Sequence, residues 1–415
     1  TMFADIAILP AVADLWSIYG AQNEPFPAAM HPSWQTLIWE VIHQNGGGCD
    51  YLSEPVIRHA VIRNGYLHYG PRKYHTIFLT AVESIEPATV KKLVEFVESG
   101  GRVFCVENYP HKAPGWNDHL QRDKAVHDEV AKMKNYTDRF VLLNKPDKDF
   151  PGWYKIVQDK YRIQHYLSLD SPNRFITQVR YQSKDVELIF IINSHMHESY
   201  KTVISPSTAI TSGRKSWIWD PETGERYMLS TTANRIELDM APADLKLIVF
   251  DKQKKGLVHK PTKTTGNSNT MVTGLWSVQG IHTNGTVLKG EMELLKDLKD
   301  MPEWAQFAGT ITYRTTVMLN DSKKFEWMNL GKAFGVSELA VNGHHAGTRW
   351  YGRRIFPVAE FLKNGNNEIE VKIITTLGNY LKSLTNNPVA QYWTNQGRTI
   401  QPLQSTGLLG PVTIY

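Results

Sequence analysis

The chain has 415 residues, enough for about three domains, and its 41% apolar and 21% charged content is that of a globular protein. No run approaches the roughly 18 apolar residues of a membrane-spanning helix. The net charge of +5 is spread along the chain with no clustered Lys/Arg face, which argues against a nucleic-acid partner.

Thr1-Met2-Phe3-Ala4-Asp5 has neither the basic nor the apolar region of a leader and reads as the inside of a strand, the expectation for a piece of a longer protein. Ile6-Ala7-Ile8-Leu9 is a short apolar strand. Pro32 then suits a first helical turn, and Trp34, Leu37, Ile38, Val41 and Ile42 repeat at helical spacing until Gly46-Gly47-Gly48. His75–Thr80 is a second strand, and Pro87 opens a helix with Val90, Leu93, Val94 and Val97 on one face. Gly100-Gly101 ends it, Arg102–Val106 returns as a strand, and a helix around 121–134 and the strand Phe140–Leu143 follow. Such alternation predicts a mostly parallel sheet covered on both faces, over residues 1–150.

From about 160 to 251 the period changes to two, within a sandwich domain expected over 151–252. Phe175–Tyr181, Val186–Ile192, Lys215–Trp219, Glu225–Leu229, Arg235–Leu238 and Leu245–Phe250 read as strands of a small sandwich, with Asp220-Pro221-Glu222-Thr223-Gly224 as a tight turn. Trp217 and Trp219 share one face of their strand. Residues 253–272, rich in Lys, Thr, Gly and Asn, read as a linker. Residues 273–415 are all-β again, with Asn342-Gly343 as a hairpin turn and Asn364-Gly365 introducing Glu368–Ile374. Many short strands with such turns predict a jelly roll.

Most familiar chemistries are missing from this pattern. A nucleophilic Cys needs a glycine-flanked strand–helix elbow, and Cys105 sits in Val103-Phe104-Cys105-Val106-Glu107 with no glycine near it. Cys49 leads into a strand; both thiols read as buried and inert, and two cysteines build no disulfide framework. No glycine-rich phosphate loop follows the first strand, so no nucleotide cofactor is expected. His195-Met196-His197-Glu198 falls where a strand must turn, and His344 and His345 point apart on a strand, so no metal site is expected either. The acids Glu291, Glu293, Asp297, Asp300 and Glu303 alternate with lysines, as on a solvated surface. No eightfold β/α pattern is present to carry the paired carboxylates of glycoside hydrolysis.

What remains is binding. Twelve Trp and 18 Tyr are many for this length, and aromatic faces stack on the apolar faces of sugar rings. Arg349-Trp350-Tyr351-Gly352-Arg353-Arg354 follows a strand and joins two aromatics to three guanidiniums. Tyr392-Trp393-Thr394-Asn395-Gln396 joins aromatics to amides in a Gly- and Asn-rich loop region. Arg349, Trp350, Tyr351, Arg353, Tyr392 and Trp393 are therefore candidate carbohydrate contacts, the alternative being loops packed on a sandwich edge. His31 and Trp34, near the C-terminal edge of the first strand where open α/β sheets bind ligands, form a further candidate.

Phe307-Ala308-Gly309-Thr310-Ile311-Thr312-Tyr313-Arg314, Leu330-Gly331, Leu339-Ala340-Val341-Asn342-Gly343, Gly347, Pro357, Leu362–Ile369 and Thr406–Val412 resemble, in order, the sugar-binding domain of family 2-type glycosidases. Tyr74–Leu79, Leu93–Phe104 and Trp219–Gly224 resemble the middle of the large α-L-rhamnosidases of glycoside hydrolase family 106. The resemblance implies a flavodoxin-like, amidotransferase-like α/β domain without amidotransferase activity, a small Ig-like β-sandwich, and a galactose-binding-like jelly roll over 273–415. It also implies a catalytic barrel N-terminal to these modules, an oligo- or polysaccharide partner, and a periplasmic or extracellular location. On this reading the chain is the non-catalytic, carbohydrate-binding accessory region of a glycoside hydrolase, with no catalytic residue of its own; the alternative is a stand-alone carbohydrate-binding protein.

Overall fold

The computed structural model describes residues 1–19, 34–229, 235–253, 255–259, 269–395 and 402–415. The chain divides into two compact units, Thr1–Met240 with Leu245–His259, and Ala241–Asp244 with Lys260–Tyr415.

The first unit begins with β1 (Ile6–Pro10), α1 (Val12–Tyr19), α2 (Trp34–Gln44), β2 (Cys49–Tyr51) and α3 (Glu54–His59). A three-stranded meander follows, β3 (Val61–Arg63), β4 (Tyr66–Tyr69) and β5 (Arg72–Tyr74). Then come β6 (Thr76–Thr80), α4 (Pro87–Glu98), β7 (Arg102–Val106), α5 (His119–Met133), β8 (Phe140–Leu143) and α6 (Phe150–Lys160). The sheet order is β2-β1-β6-β7-β8, every pair parallel. Parallel pairing forces a crossover after each strand, so helices cover both faces and the strands are apolar on both sides. Alternation then sorts the side chains. Ile77, Leu79, Val103 and Cys105 pack with Val90, Leu93 and Val126 on one face. Ile6, Ile8, Phe78 and Phe104 pack with Ile38, Ile42, Tyr154 and Val157 on the other.

Residues 151–160, assigned above to the sandwich, belong instead to α6 of this layer. Asp149 caps it by accepting from Gly152 N, Pro151 fits the first turn, and Phe150, Tyr154 and Val157 recur at helical spacing toward the sheet.

Eight strands form the sandwich: β9 (Leu167–Leu169), β10 (Ile176–Gln182), β11 (Glu187–Asn193), β12 (Tyr200–Pro206), then after α7 (Thr208–Thr211) β13 (Lys215–Trp219), β14 (Arg226–Met228), β15 (Ile236–Met240) and β16 (Asp244–Asp251). Their sheets, β10-β11-β16-β13-β14 and β15-β12-β9, enclose Ile189, Ile191, Ile204, Leu238, Ile248 and Phe250. Trp217 is buried against Val249 with Trp219 beside it, as their shared strand face requires. The turn after β13 is held by Asp220, whose carboxylate accepts from Glu222 N at 2.8 Å. Leu257 and His259 hydrogen-bond to Met228 at the edge of β14; residues 254 and 260–268 of the expected linker lie outside the described residues.

One buried amide ties the sandwich to the α/β layer. Gln178, on the inward face of β10, donates to His43 O at 2.9 Å and Gly47 O at 2.8 Å, and accepts from the Tyr166 hydroxyl. The chain passes so tightly here that a Cβ on Gly46 (φ +76°) would lie 1.6 Å from Leu167 O.

In the second unit the strands are β17 (Thr270–Met271), β18 (Trp276–His282), β19 (Val287–Met292), β20 (Gly309–Leu319), β21 (Trp327–Asn329), β22 (Lys332–Phe334), β23 (Val336–Val341), β24 (His344–Arg349), β25 (Ile355–Pro357), β26 (Gly365–Ile374), β27 (Gly407–Gly410) and β28 (Thr413–Ile414). Two helices, α8 (Gly378–Ser383) and α9 (Pro388–Thr394), follow β26. Sheets β19-β18-β20-β26-β23-β24 and β17-β28-β21-β25 face each other across Trp276, Ile311, Tyr313, Met328, Phe356 and Val371, and β22 pairs with β27. Asn342 (φ 51°) and Gly343 (φ 80°) form the turn between β23 and β24, the left-handed pair that this dipeptide favours. Tyr392 and Trp393, expected in a loop, lie on α9. Asn387 caps that helix, accepting from Val389 N and Ala390 N, and Pro388 suits its first position.

Candidate functional site

The candidate contacts of the second unit fall on two elements. Arg349 ends β24 and spreads its guanidinium 5.7 Å from the Phe356 ring. Trp350, 59% exposed, meets Tyr351 edge-on at 4.9 Å; Arg353 follows in the same loop, half-buried. Arg354 is buried, donating to Gly352 O and Gly335 O, and so holds the loop rather than facing outward. On α9, Trp393 is 71% exposed and Tyr392 half-exposed, their rings perpendicular at 5.3 Å. Hydrogen bonds from Gln391 to Leu384 O and from Asn395 to Lys382 O fasten α9 to α8, so the exposed rings sit on a fixed support.

His31 and Gln396 lie outside the described residues. Trp34 opens α2 and is buried in the core with Ile38 and Tyr154, the Lys145 ammonium 5.7 Å from its ring. Asp297, read above as part of a solvated run, is a structural hub. Burial raises its pKa, but hydrogen bonds from Ser405, Thr406 N and Lys299 outweigh burial and hold the carboxyl below its ordinary value. Nothing within the run marks Asp297 out, because Ser405 and Thr406, which bond to it, lie more than a hundred positions away.

The carboxyl edge of the parallel sheet carries two cavities. The strand order reverses between β1 and β6, and open α/β sheets hold ligands outside such a switch point. A cavity of about 840 Å³ lies there, floored by Leu9, Leu52 and Val82, with Trp16 and Tyr51 among its lining residues. Trp16 is 62% exposed and Tyr51 half-exposed. Gln35 lines this cavity and a neighbouring one of about 680 Å³. The second is polar, with ion pairs Lys112–Glu83 at 2.8 Å and Lys145–Glu107 at 3.1 Å. The Lys112 hydrogen bond holds Glu83 below the usual carboxylate pKa.

The sharp turn after β7 is made by Glu107 at φ 77°, so the residue in the left-handed position there is a carboxylate already paired with Lys145. Cys105, two residues earlier, is fully buried in the strand, and burial pushes its thiol well up; Cys49 is likewise buried and raised. Such thiols are poor nucleophiles. Among the described residues no group of three His, Cys, Asp or Glu is arranged to hold a metal ion, and no helix is long and apolar enough to cross a membrane. His195, in the turn before β12, spends its Nδ1 accepting from His197 N and Glu198 N.

No protein-family model matches the chain. Its fold is similar to part of a solved rhamnosidase from Novosphingobium sp. PP1Y, with a TM-score of 0.62 and 18% identity over 100% of this chain and 39% of that one. In sequence it is 26% identical over 357 residues to a Formosa agariphila protein named "Putative beta-glucuronidase", covering 73% of this chain and 30% of the relative. The chain thus spans 39% of the one and 30% of the other, and both likenesses are to glycoside hydrolases.

Proposed function

We propose that this chain is the non-catalytic, carbohydrate-facing C-terminal region of a glycoside hydrolase of the α-L-rhamnosidase type, whose catalytic barrel lies N-terminal to it. The observation that carries the reading is that the entire chain follows the fold of a 39% portion of a rhamnosidase. In this reading the parallel-sheet layer is an amidotransferase-like domain without amidotransferase activity, the following strands an Ig-like sandwich, and the second unit a galactose-binding-like jelly roll. Buried thiols, a carboxylate at the turn after β7 and exposed rings on α9 and after β24 all support binding over catalysis.

Two measurements test it together. The chain alone should release no product from aryl α-L-rhamnosides, and it should be retained on a rhamnose-containing polysaccharide in affinity electrophoresis. Trp350→Ala and Trp393→Ala should each weaken retention about tenfold, the loss of one stacking platform. Turnover abolished by a single carboxylate substitution, or retention indifferent to both tryptophans, would overturn the reading.

A further inference from the structure

We infer that the cavity at the switch point of the parallel sheet is a second saccharide site, one that takes a neutral 6-deoxyhexose residue. The inference rests on the carbohydrate reading above but uses a different unit and different residues. The carrying observation is Gln35. Its side chain is only 6% exposed, it lines the cavity, and its carboxamide makes no hydrogen bond to any described residue. A buried amide almost always finds a partner, and one left open toward a cavity is built to receive a ligand's. A carboxamide offers a donor and an acceptor side by side, which matches two adjacent hydroxyls of a pyranose ring.

The other walls narrow the ligand. Trp16 and Tyr51 present open aromatic faces of the kind that stack on sugar C–H surfaces, while Leu9, Leu52 and Val82 offer nothing to a hydroxyl. Against those three side chains a methyl group at C6 packs better than a hydroxymethyl, whose oxygen would there lose its water without replacement, while Ser53, Thr80 and Ser84 elsewhere in the lining are left for the ring hydroxyls. Charge excludes acidic sugars. Glu54 and Glu86 line the cavity with Arg58 as their companion there, and Arg58 already lies 3.9 Å from Glu54 while Arg122 pairs with Glu86 at 2.8 Å. The two carboxylates and two guanidiniums cancel in pairs, so neither guanidinium is left over to hold a carboxylate or sulfate. The volume of about 840 Å³ is that of an ordinary small-ligand site and leaves room for neighbouring residues of an oligosaccharide.

The test is a ligand-observed NMR titration of the whole chain with methyl α-L-rhamnopyranoside. Its 6-hydroxylated counterpart, methyl α-L-mannopyranoside, and free glucuronate serve as competitors. In the Trp350→Ala/Trp393→Ala background, which removes the second unit's contacts, binding of the rhamnoside should weaken about tenfold on adding Gln35→Met or Trp16→Ala. Gln35→Met should not lower the melting temperature, since the amide has no partner among the described residues to lose. The site is overturned if Gln35→Met and Trp16→Ala bind as the parent does, if Gln35→Met melts well below it, or if the parent does not bind. In each of those cases retention on polysaccharide through Trp350 and Trp393 judges the accessory-region reading separately. Equal affinity for the L-mannoside, or tighter binding of glucuronate, overturns the assignment of the sugar class.

Discussion

Replacing Gln178 by Leu removes one buried amide and strands the groups it serves. His43 O keeps a second donor, Gly46 N at 3.2 Å, but Gly47 O and the Tyr166 hydroxyl lose the only partners they have among the described residues. A buried group left unpaired costs about 1–3 kcal/mol, and the leucine recovers part of that by apolar burial, so the net loss should be about 2–4 kcal/mol. A chain of two compact units need not melt in one step, so native-state amide exchange is the proper assay. Tyr166 N, bonded to Gly46 O at 3.1 Å, reports the joint directly. Adding Tyr166→Phe removes one of the stranded groups, so the double variant should be more stable than the sum of the single losses by about 1 kcal/mol. A loss below about 0.5 kcal/mol in Gln178→Leu, or strictly additive effects, would refute the idea that this amide holds sandwich and sheet together.

Two further outcomes follow from buried titratable groups. Burial drives the pKa of His43 down, against smaller raising effects of its bond to Trp39 O and of Asp50, so the folded chain holds this ring neutral while the unfolded chain protonates it near pH 6.5. Stability should therefore fall as pH drops below about 6.5, by up to about 1.4 kcal/mol per pH unit from this group, until the folded pKa is passed. His43→Gln should flatten that slope in melts between pH 7 and 5, and an identical slope would show that His43 is not its source. Cys49 and Cys105 should resist iodoacetamide at pH 8 in the folded chain and react in urea; rapid native labelling of Cys105 would revive an amidotransferase-type nucleophile.

Much of the fold was legible because it is written in local periodicity. The apolar runs of β1, β6 and β7, the helical spacing in α2 and α4, and the Asn342-Gly343 turn all form where their residues predict. The departures have identifiable reasons. α6 leaves little local signal, because Phe150, Tyr154 and Val157 are only three markers after a polar stretch. The Gly- and Asn-rich composition around Tyr392 and Trp393 resembles a loop, yet Asn387-Pro388 caps a short helix there. Arg180 and Glu187, on strands of the expected period, form an ion pair at 2.9 Å that is nearly fully buried, with the guanidinium 4.0 Å from the Phe3 ring. A charged residue in an alternating strand reads as solvent-facing, and only its neighbours reveal otherwise.

The candidate sites divide the same way. The aromatic clusters at 350 and 393 could be picked out by composition, and the exposure of Trp350 and Trp393 was decided by packing. Trp34, equally aromatic, is core. Gln35 carried no signal at all, since an unpartnered amide is a property of what surrounds it.

By itself, then, the residue pattern determined the class of each layer, parallel α/β followed by antiparallel β, because side-chain period and turn chemistry act over a few residues. The tertiary structure alone decided which polar groups are buried, which rings face water, and where the sheet leaves a cavity at its switch point. Each of these depends on atoms brought together from positions far apart in the chain, as Gln178 is with Gly47 and Asp297 with Thr406.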